Sequence, residues 1–327
     1  MVGFIGRRLV NYVFLSAIAT ALGYLLVSST FQPAARFLGR NPPVPQASID
    51  AALDKLGVNP SVPILERLWE WGTHLVTTGS LGISTRGTQV TADIFERAGT
   101  SLRLLIIGTV LGAVIGVALG VWGAVRQYKA SDQVITYASF TVLATPVFVI
   151  GILLMIGATL LNRAVGTNVI NFTGEYSAGL QGNFFTILQD RLIHLLLPTI
   201  TLTIGAIASY SRYQRSAMLD VLSADYIRTA RSKGRTRGSA LVRHGVRVAL
   251  IPMSTFFAYS FGLVLTGASI TESVFSWHGM GEYLIMSTTN SDVNAAAGTI
   301  LFTSILVLIA GTLSDVIYAA LDPRVRV

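Results

Sequence analysis

The sequence predicts an all-α membrane protein with six transmembrane helices, and three observations carry that expectation. Hydrophobic residues make up 52% of the 327-residue chain and charged residues only 12%, with a mean hydropathy of +0.61, more apolar than an ordinary globular interior requires. The charges are bunched, so that 9–35, 134–161 and 248–271 contain no Asp, Glu, Lys or Arg. Three further runs, 102–124, 192–210 and 297–321, carry one Arg at an edge, one His and one Asp near the end. Each run approaches or exceeds the roughly 20 residues that, at about 1.5 Å per residue, cover a hydrocarbon layer of about 30 Å.

Residues 1–31 form the first span. Arg7 and Arg8 precede it as in a secretory signal, but the apolar stretch far exceeds the roughly 7–15 residues of a signal core, so an uncleaved helix is expected. An outer segment, 32–101, follows. Its Pro33, Pro42, Pro43, Pro45, Pro60 and Pro63 predict irregular chain around a short helix over 49–56 and a second near 64–75. Trp69 and Trp71 are assigned to the membrane interface, where an indole has an apolar body and a polar edge to satisfy.

Residues 102–327 carry the remaining five spans. In the second span Gly108, Gly112, Gly116 and Gly120 recur at spacing four on one helical face, a pattern that lets another backbone approach where dispersion replaces the hydrophobic drive absent in lipid. Pro146, Pro198 and Pro252 lie within or at the ends of apolar runs and are expected to kink or hinge them. Charge sets the orientation. With both termini inside, the inner segments 1–8, 125–133, 212–247 and 322–327 hold 15 Lys and Arg in 59 residues, against 8 in 124 for the outer segments. Positive charge collects on the cytoplasmic side, so an N-in, C-in topology is predicted.

The same placement accounts for the net charge of +8 without nucleic acid. The absence of cysteine excludes disulfides, thiolate nucleophiles and sulfur-ligated metals. His74, His194, His244 and His278 are scattered, and no H-E-x-x-H spacing occurs, so no metal site and no catalytic residue is expected. No G-x-x-x-x-G-K-[ST] cradle is present, so the chain itself does not hydrolyse ATP. An ion-coupled carrier or channel would want paired ionisable groups near the bilayer centre, whereas His194 and Asp315 both lie near span ends.

The longest inner loop, 212–247, is more than a basic tether. Residues 223–234 read Ser-Ala-Asp-Tyr-Ile-Arg-Thr-Ala-Arg-Ser-Lys-Gly, which predicts a short helix capped by Ser223, with Asp225 at its positive end. Arg231 and Lys233 suit its negative end, and Gly234 takes the left-handed turn that stops it. A second helix, capped by Thr236 or Ser239, is expected to run through Leu241, Val242 and Val246 toward the membrane, with Pro252 beyond it.

The run Asp225, Tyr226, Ile227, Arg228, Thr229, Ala230, Arg231, Ser232, Lys233, Gly234, with Arg243-His244 and Ala249-Leu250-Ile251-Pro252 after it, resembles the cytoplasmic coupling motif of binding-protein-dependent ABC importer permeases. The dipeptide/oligopeptide (peptide/nickel) branch is the nearest in pattern. Glu272-Ser273-Val274-Phe275-Ser276-Trp277 with Gly279-Met280-Gly281, the tail from Leu321 to Arg326, the stretch 79–84 and the Arg7-Arg8-Leu9 start fit the same branch. Three departures stand out: Arg228-Thr229-Ala230 where the broad pattern has Glu-Ala-Ala, His278 in place of a proline, and Gly99 at another usual proline position.

The resemblance implies the type I ABC importer permease fold, with a coupling helix between the fourth and fifth spans and a multi-pass location in the cytoplasmic (inner) membrane. It implies that Asp225, Tyr226, Ile227, Arg228, Thr229, Ala230, Arg231, Lys233 and Gly234 couple to an ATPase, and that Glu272, Phe275, Trp277, Gly279 and Gly281 form an external gate or loop. Implied partners are a homologous second permease, two ATPase domains or subunits that bind ATP and Mg, an extracytoplasmic substrate-binding protein, a peptide substrate and membrane lipid, with no nucleic acid. This chain would bind no cofactor of its own. Oligopeptides are the expected cargo, with dipeptides, glutathione and nickel complexes as alternatives; a secondary transporter or a membrane hydrolase is the rival class.

Overall fold

Long apolar runs become helices because, in hydrocarbon, each backbone N–H and C=O must be paired within its own segment. The computed structural model describes residues 2–39, 41–241 and 245–321, and their side chains except those of 2–5, 237 and 258–267. In chain order the helices are α1 (Val2–Thr30), α2 (Gln46–Leu56), α3 (Ile64–Thr78), α4 (Val90–Val125), α5 (Ala130–Ala144), α6 (Val147–Val165) and α7 (Phe184–Leu222). Then come α8 (Asp225–Ser232), α9 (Arg237–Ala240), α10 (Val246–Ala249), α11 (Ile251–Val274), α12 (Met280–Thr289) and α13 (Val293–Leu321). A 3₁₀ turn at Pro33–Phe37 and one isolated bridge, Ile83 to Gln89, are also present. Val242, Arg243, His244 and the tail residues Asp322 to Arg326 lie outside the described residues.

Among the described residues, five helices are long and apolar enough to cross a bilayer: Gly6–Thr30, Val90–Val125, Val147–Val165, Phe184–Leu222 and Val293–Leu321. The sixth apolar run, 248–271, falls on α10 and α11, whose described side chains cover it only in part. Along α1, Val10, Phe14, Leu22 and Leu26 are each more than 60% exposed. A face of that composition requires an apolar surrounding.

The charge-free run 134–161 is not one helix but two. Thr145 is extended (φ −94°, ψ 125°) and Pro146 opens α6, because a proline disfavours helical backbone in the residue before it and supplies no N–H of its own. The 19 residues of α6, about 28 Å, suffice for the span without α5. Pro198, by contrast, is accommodated inside α7. That helix runs 39 residues, about 58 Å, so it outlasts a hydrocarbon layer of about 30 Å and extends well past the run 192–210 that predicts it.

The chain divides into two compact units. The first comprises 1–6, 102–277 and 309–327; the second comprises 7–101 and 278–308. In the second, Tyr24, Ile49, Leu53, Val58, Trp71, Leu81, Val90, Met280 and Tyr283 share one apolar core, so the proline-rich segment packs with α1 and with the 278–308 stretch. Trp71 corrects the expectation for the tryptophan pair. It is 8% exposed, its ring lies 5.3 Å from that of Tyr24, and its Nε1 donates to the Leu81 carbonyl at 3.2 Å. Trp71 finds its polar partner in the core, whereas Trp69, two residues away on the other face of α3, is 77% exposed.

Candidate functional site

The site is built on the C-terminal end of α7. Ser223 keeps right-handed helical backbone (φ −90°, ψ −7°) and its Oγ donates to the Asp220 carbonyl at 3.0 Å. It therefore closes α7 and does not cap α8, which corrects the expected Ser223 cap: an N-cap needs extended backbone, with its side chain folded onto the next amides. Ala224 takes that position (φ −70°, ψ 142°) with no side-chain bond. Asp225 in the first turn and Arg231 in the last complement the dipole of α8. Gly234 sits at φ +84°, and the amides of Gly234 and Arg235 donate to the carbonyls of Arg231 and Ala230 at 3.0 and 3.3 Å, ending the helix. Thr236 then starts α9, its Oγ1 accepting from the Ser239 amide at 3.3 Å.

One residue holds α8 down. Ile227 is 4% exposed and packs among Ala124, Met218, Val221, Leu241 and Ala249, so it faces inward and is not available to a partner. Asp225, Tyr226, Arg228, Thr229, Arg231, Lys233 and Gly234 are exposed and Ala230 is half-buried. The pair Asp225–Arg228, at 3.7 Å, is solvated at both ends and adds little to stability. The outcome is a short helix anchored on one face, with a mainly basic outer face.

Two devices hold α7 in place within the same unit. First, the glycine face of α4 lies against it. A Cβ on Gly108 would stand 3.3 Å from the Leu202 Cβ, one on Gly116 would stand 2.6 Å from the Tyr210 Cβ and 2.9 Å from the Ile207 carbonyl, and one on Gly120 would stand 2.6 Å from the Ser211 carbonyl. On Gly112 it would overlap Ala206. Carbon atoms prefer about 3.5–4.0 Å, so most of this face has no room for a methyl group. Second, Asp132 at the start of α5 clasps Arg215, two turns before the end of α7. Arg215 donates Nε at 2.6 Å and Nη2 at 2.8 Å to the two carboxylate oxygens, and the Tyr128 amide adds a third bond at 3.0 Å. The Arg215 hydrogen bonds hold the Asp132 carboxyl below the usual carboxylate range, although burial pushes it up. No sequence pattern marks this pair, whose members are 83 residues apart.

After α11 the chain stays close to the first unit as far as Trp277. Glu272, Phe275 and Trp277 are each 1% exposed. Phe275 packs with Ala158 and Leu197 beside Gly151, and its carbonyl accepts from the Gly174 amide at 2.8 Å. Gly279 and Gly281 belong to the second unit, where Gly279 precedes α12 and the Met280 amide donates to Ser101 Oγ at 2.7 Å. His278 is exposed there, its Nδ1 2.9 Å from Glu282, which also takes Arg97 at 3.2 Å. Also in the second unit, Asp292 accepts from Ser84 Oγ, the Thr85 amide and Thr85 Oγ1 at 2.6, 2.7 and 2.9 Å, fastening the end of the 79–85 stretch.

A cavity of about 840 Å³ opens in the first unit at the end of α6, lined by Thr159, Asn168, Asn171, Thr173 and His194 among others. His194 Nδ1 faces the Asp190 carbonyl at 2.9 Å; a carbonyl only accepts, so that nitrogen carries the proton. This polar chamber is formed by a loop that folds back on Asn162, whose side chain exchanges two hydrogen bonds with the Ile170 backbone, and nothing in the sequence pattern announces it.

A family described as binding-protein-dependent transport system inner membrane component matches residues 116–327, taking in α8, the Asp132–Arg215 clasp and the loop after α11. The chain belongs to this family. It is a multi-pass integral membrane component of a transport system. Among its relatives, the oligopeptide transport system permease protein OppB of Mycobacterium tuberculosis is 49% identical over 327 residues, covering 100% of both chains. The oligopeptide transport system permease protein AppB of Bacillus subtilis is 32% identical over 95% of this chain and 97% of its own. The glutathione transport system permease protein GsiC of Salmonella choleraesuis is 29% identical over 100% of this permease and 99% of its own length.

Proposed function

We propose that this permease forms half of the translocation path of an ATP-driven oligopeptide importer and receives its driving force through α8. The observation that carries the coupling role is the direct connection of α7, through Ser223 and Ala224 alone, to an anchored α8 with an exposed basic face. A rigid helix about 58 Å long, clasped at Arg215 and seated by Ile227, converts a push on α8 into movement of a membrane span. In this reading Tyr226 and the half-buried Ala230 make the contact with a cytoplasmic ATPase, and Arg228, Arg231 and Lys233 pair with an acidic rim. ATP and Mg are bound by the partner subunits. A homologous permease completes the path, and an extracytoplasmic binding protein delivers cargo to an outer mouth that includes the loop bearing Glu272, Phe275, Trp277, Gly279 and Gly281.

Oligopeptides are favoured as cargo by the full-length similarity to OppB at 49% identity. Glutathione is the second reading, supported by the full-length similarity to GsiC at 29%. Ala230→Asp places a charge against the contacting face without touching the core around Ile227. It is expected to reduce the amount of ATPase subunit that co-purifies with the permease at least severalfold, while membrane insertion is unchanged. An unaltered subunit ratio would remove α8 as the contact.

The proposed topology has six spans, with α11 as the fifth, and both termini in the cytoplasm. Since the chain has no cysteine, single cysteines report cleanly on sidedness. Ser232→Cys is expected to label only from the cytoplasmic side and Asn183→Cys only from the outside, as measured with an impermeant maleimide on intact cells and inverted vesicles. The opposite pattern would reverse the orientation and take α8 away from any cytoplasmic motor.

A further inference from the structure

The second unit contains a buried cation without a counter-ion. Arg67, on α3, is 8% exposed and forms no ion pair among the described residues. Its Nη1 donates to the Val58 carbonyl at 3.3 Å, and its Nε is buried with no hydrogen-bond partner. Next to α3, the hydroxyls of Tyr24 and Ser28, one turn apart on α1, are likewise buried. Trp71, one turn along α3 from Arg67, packs at a tilt against Tyr24 and fixes this face of the helix. A guanidinium withdrawn from water in this way is costly unless an anion or further acceptors meet it.

The Arg67 side chain borders a cavity of about 290 Å³, which Asp54, Lys55, Glu70, His74 and Asn294 also line. The volume is at the lower limit of small-molecule sites. One wall is rigid, because Asn294 Nδ2 is committed to the carbonyls of Leu56 and Ile83 at 2.7 and 3.0 Å. Beside His74, the lining carries two cations, Lys55 and Arg67, and two carboxylates, Asp54 and Glu70. A multivalent anion would be repelled by those carboxylates, whereas a ligand with one carboxylate and one ammonium matches both signs.

We propose that this cavity binds a small zwitterion, a free α-amino acid or a dipeptide, with its carboxylate on Arg67 and its ammonium toward Asp54 and Glu70. The assignment rests on the cavity and the unpaired guanidinium, and does not depend on what the importer carries. The test is thermal unfolding of the full-length permease in detergent at fixed ionic strength, titrated with L-alanine, L-alanyl-L-alanine, L-alaninamide or sodium sulfate. Alanine or the dipeptide is expected to raise Tm saturably, and the stronger of the two identifies the source. Alaninamide, which lacks the carboxylate, and sulfate are expected to leave Tm unchanged.

Arg67→Met is expected to weaken the response at least tenfold in apparent affinity. His74→Trp, a substitution at an exposed rim position that fills the mouth, is expected to abolish the response with little change in the unliganded Tm, and so covers the case in which Arg67→Met does not fold. Absence of a saturable shift with both zwitterions, an equal shift with alaninamide or sulfate, or full retention of the shift in His74→Trp would overturn the site. Peptide uptake by the assembled transporter is a separate readout: lost uptake with an intact shift would count against the importer reading and leave this site standing.

Discussion

Gly116→Ala, a single added methyl group, is expected to strip most of the folded permease from a detergent extract. The new Cβ would stand 2.6 Å from the Tyr210 Cβ and 2.9 Å from the Ile207 carbonyl, and the second of these is backbone that no rotamer change can move. The helices would have to separate by about 1 Å to restore ordinary contact, which forfeits dispersion along the whole face. Overpacking costs about 1–3 kcal/mol where side chains can yield, and here the upper end or more is expected. Gly157→Ala is the control, because nothing lies within 4 Å of that position and alanine improves helix propensity by up to about 1 kcal/mol. Gly108→Ala, with its nearest neighbour at 3.3 Å, should fall between the two. If size-exclusion profiles and Tm of Gly116→Ala match those of Gly157→Ala, the close approach of α4 and α7 is wrong.

Breaking the clasp at α5 and α7 should be nearly as damaging, and it should be asymmetric. The Asp132 side chain is 3% exposed and that of Arg215 is 25% exposed. Arg215→Met leaves the carboxylate buried with the Tyr128 amide as its remaining described hydrogen bond, so a loss of about 3–5 kcal/mol is expected. Asp132→Asn retains an acceptor and leaves a guanidinium that reaches water, so its loss should be smaller. The measurement is the unfolding midpoint of each variant beside the wild type, and a reversed order would show that the carboxylate is not the desolvated partner. The pH dependence follows from the lowered pKa of Asp132. Because the folded value is below the unfolded one, the contribution is complete above the unfolded carboxylate pKa of about 3.9 and is lost as pH falls through the folded value. In Arg215→Met that acid-side loss should shrink. The variant also separates anchoring from coupling: if α7 transmits the push, ATP hydrolysis by the assembled complex should continue while uptake falls.

Much of the architecture is written in local pattern. Stretches free of charge mark the spans, the excess of Lys and Arg on one set of loops predicts their sidedness, and the order Asp225, Arg231, Gly234 predicts a short helix with a left-handed stop, which α8 and the φ of +84° at Gly234 display. The errors are equally physical. Ser223 has the right side chain for a cap but the wrong backbone, because α7 runs on to Leu222, well past its apolar run, and Ser223 closes it. Ile227 belongs to the motif by order, yet helical geometry turns it onto Met218 and Val221. Trp71 has the composition of an interface residue and the location of a core one, since only the fold brings Tyr24 and the Leu81 carbonyl to it.

By itself, then, the sequence determined that this is a helical membrane permease with a short basic helix that stops at Gly234, because hydropathy, charge placement and helix-end chemistry act over a few turns of chain. The tertiary structure alone decided which glycine face meets which helix, that Asp132 holds Arg215, that Arg67 is buried beside a cavity, and which side of α8 remains free. Those facts depend on groups in some cases more than two hundred residues apart being brought within a few ångströms, and no local periodicity encodes such distances.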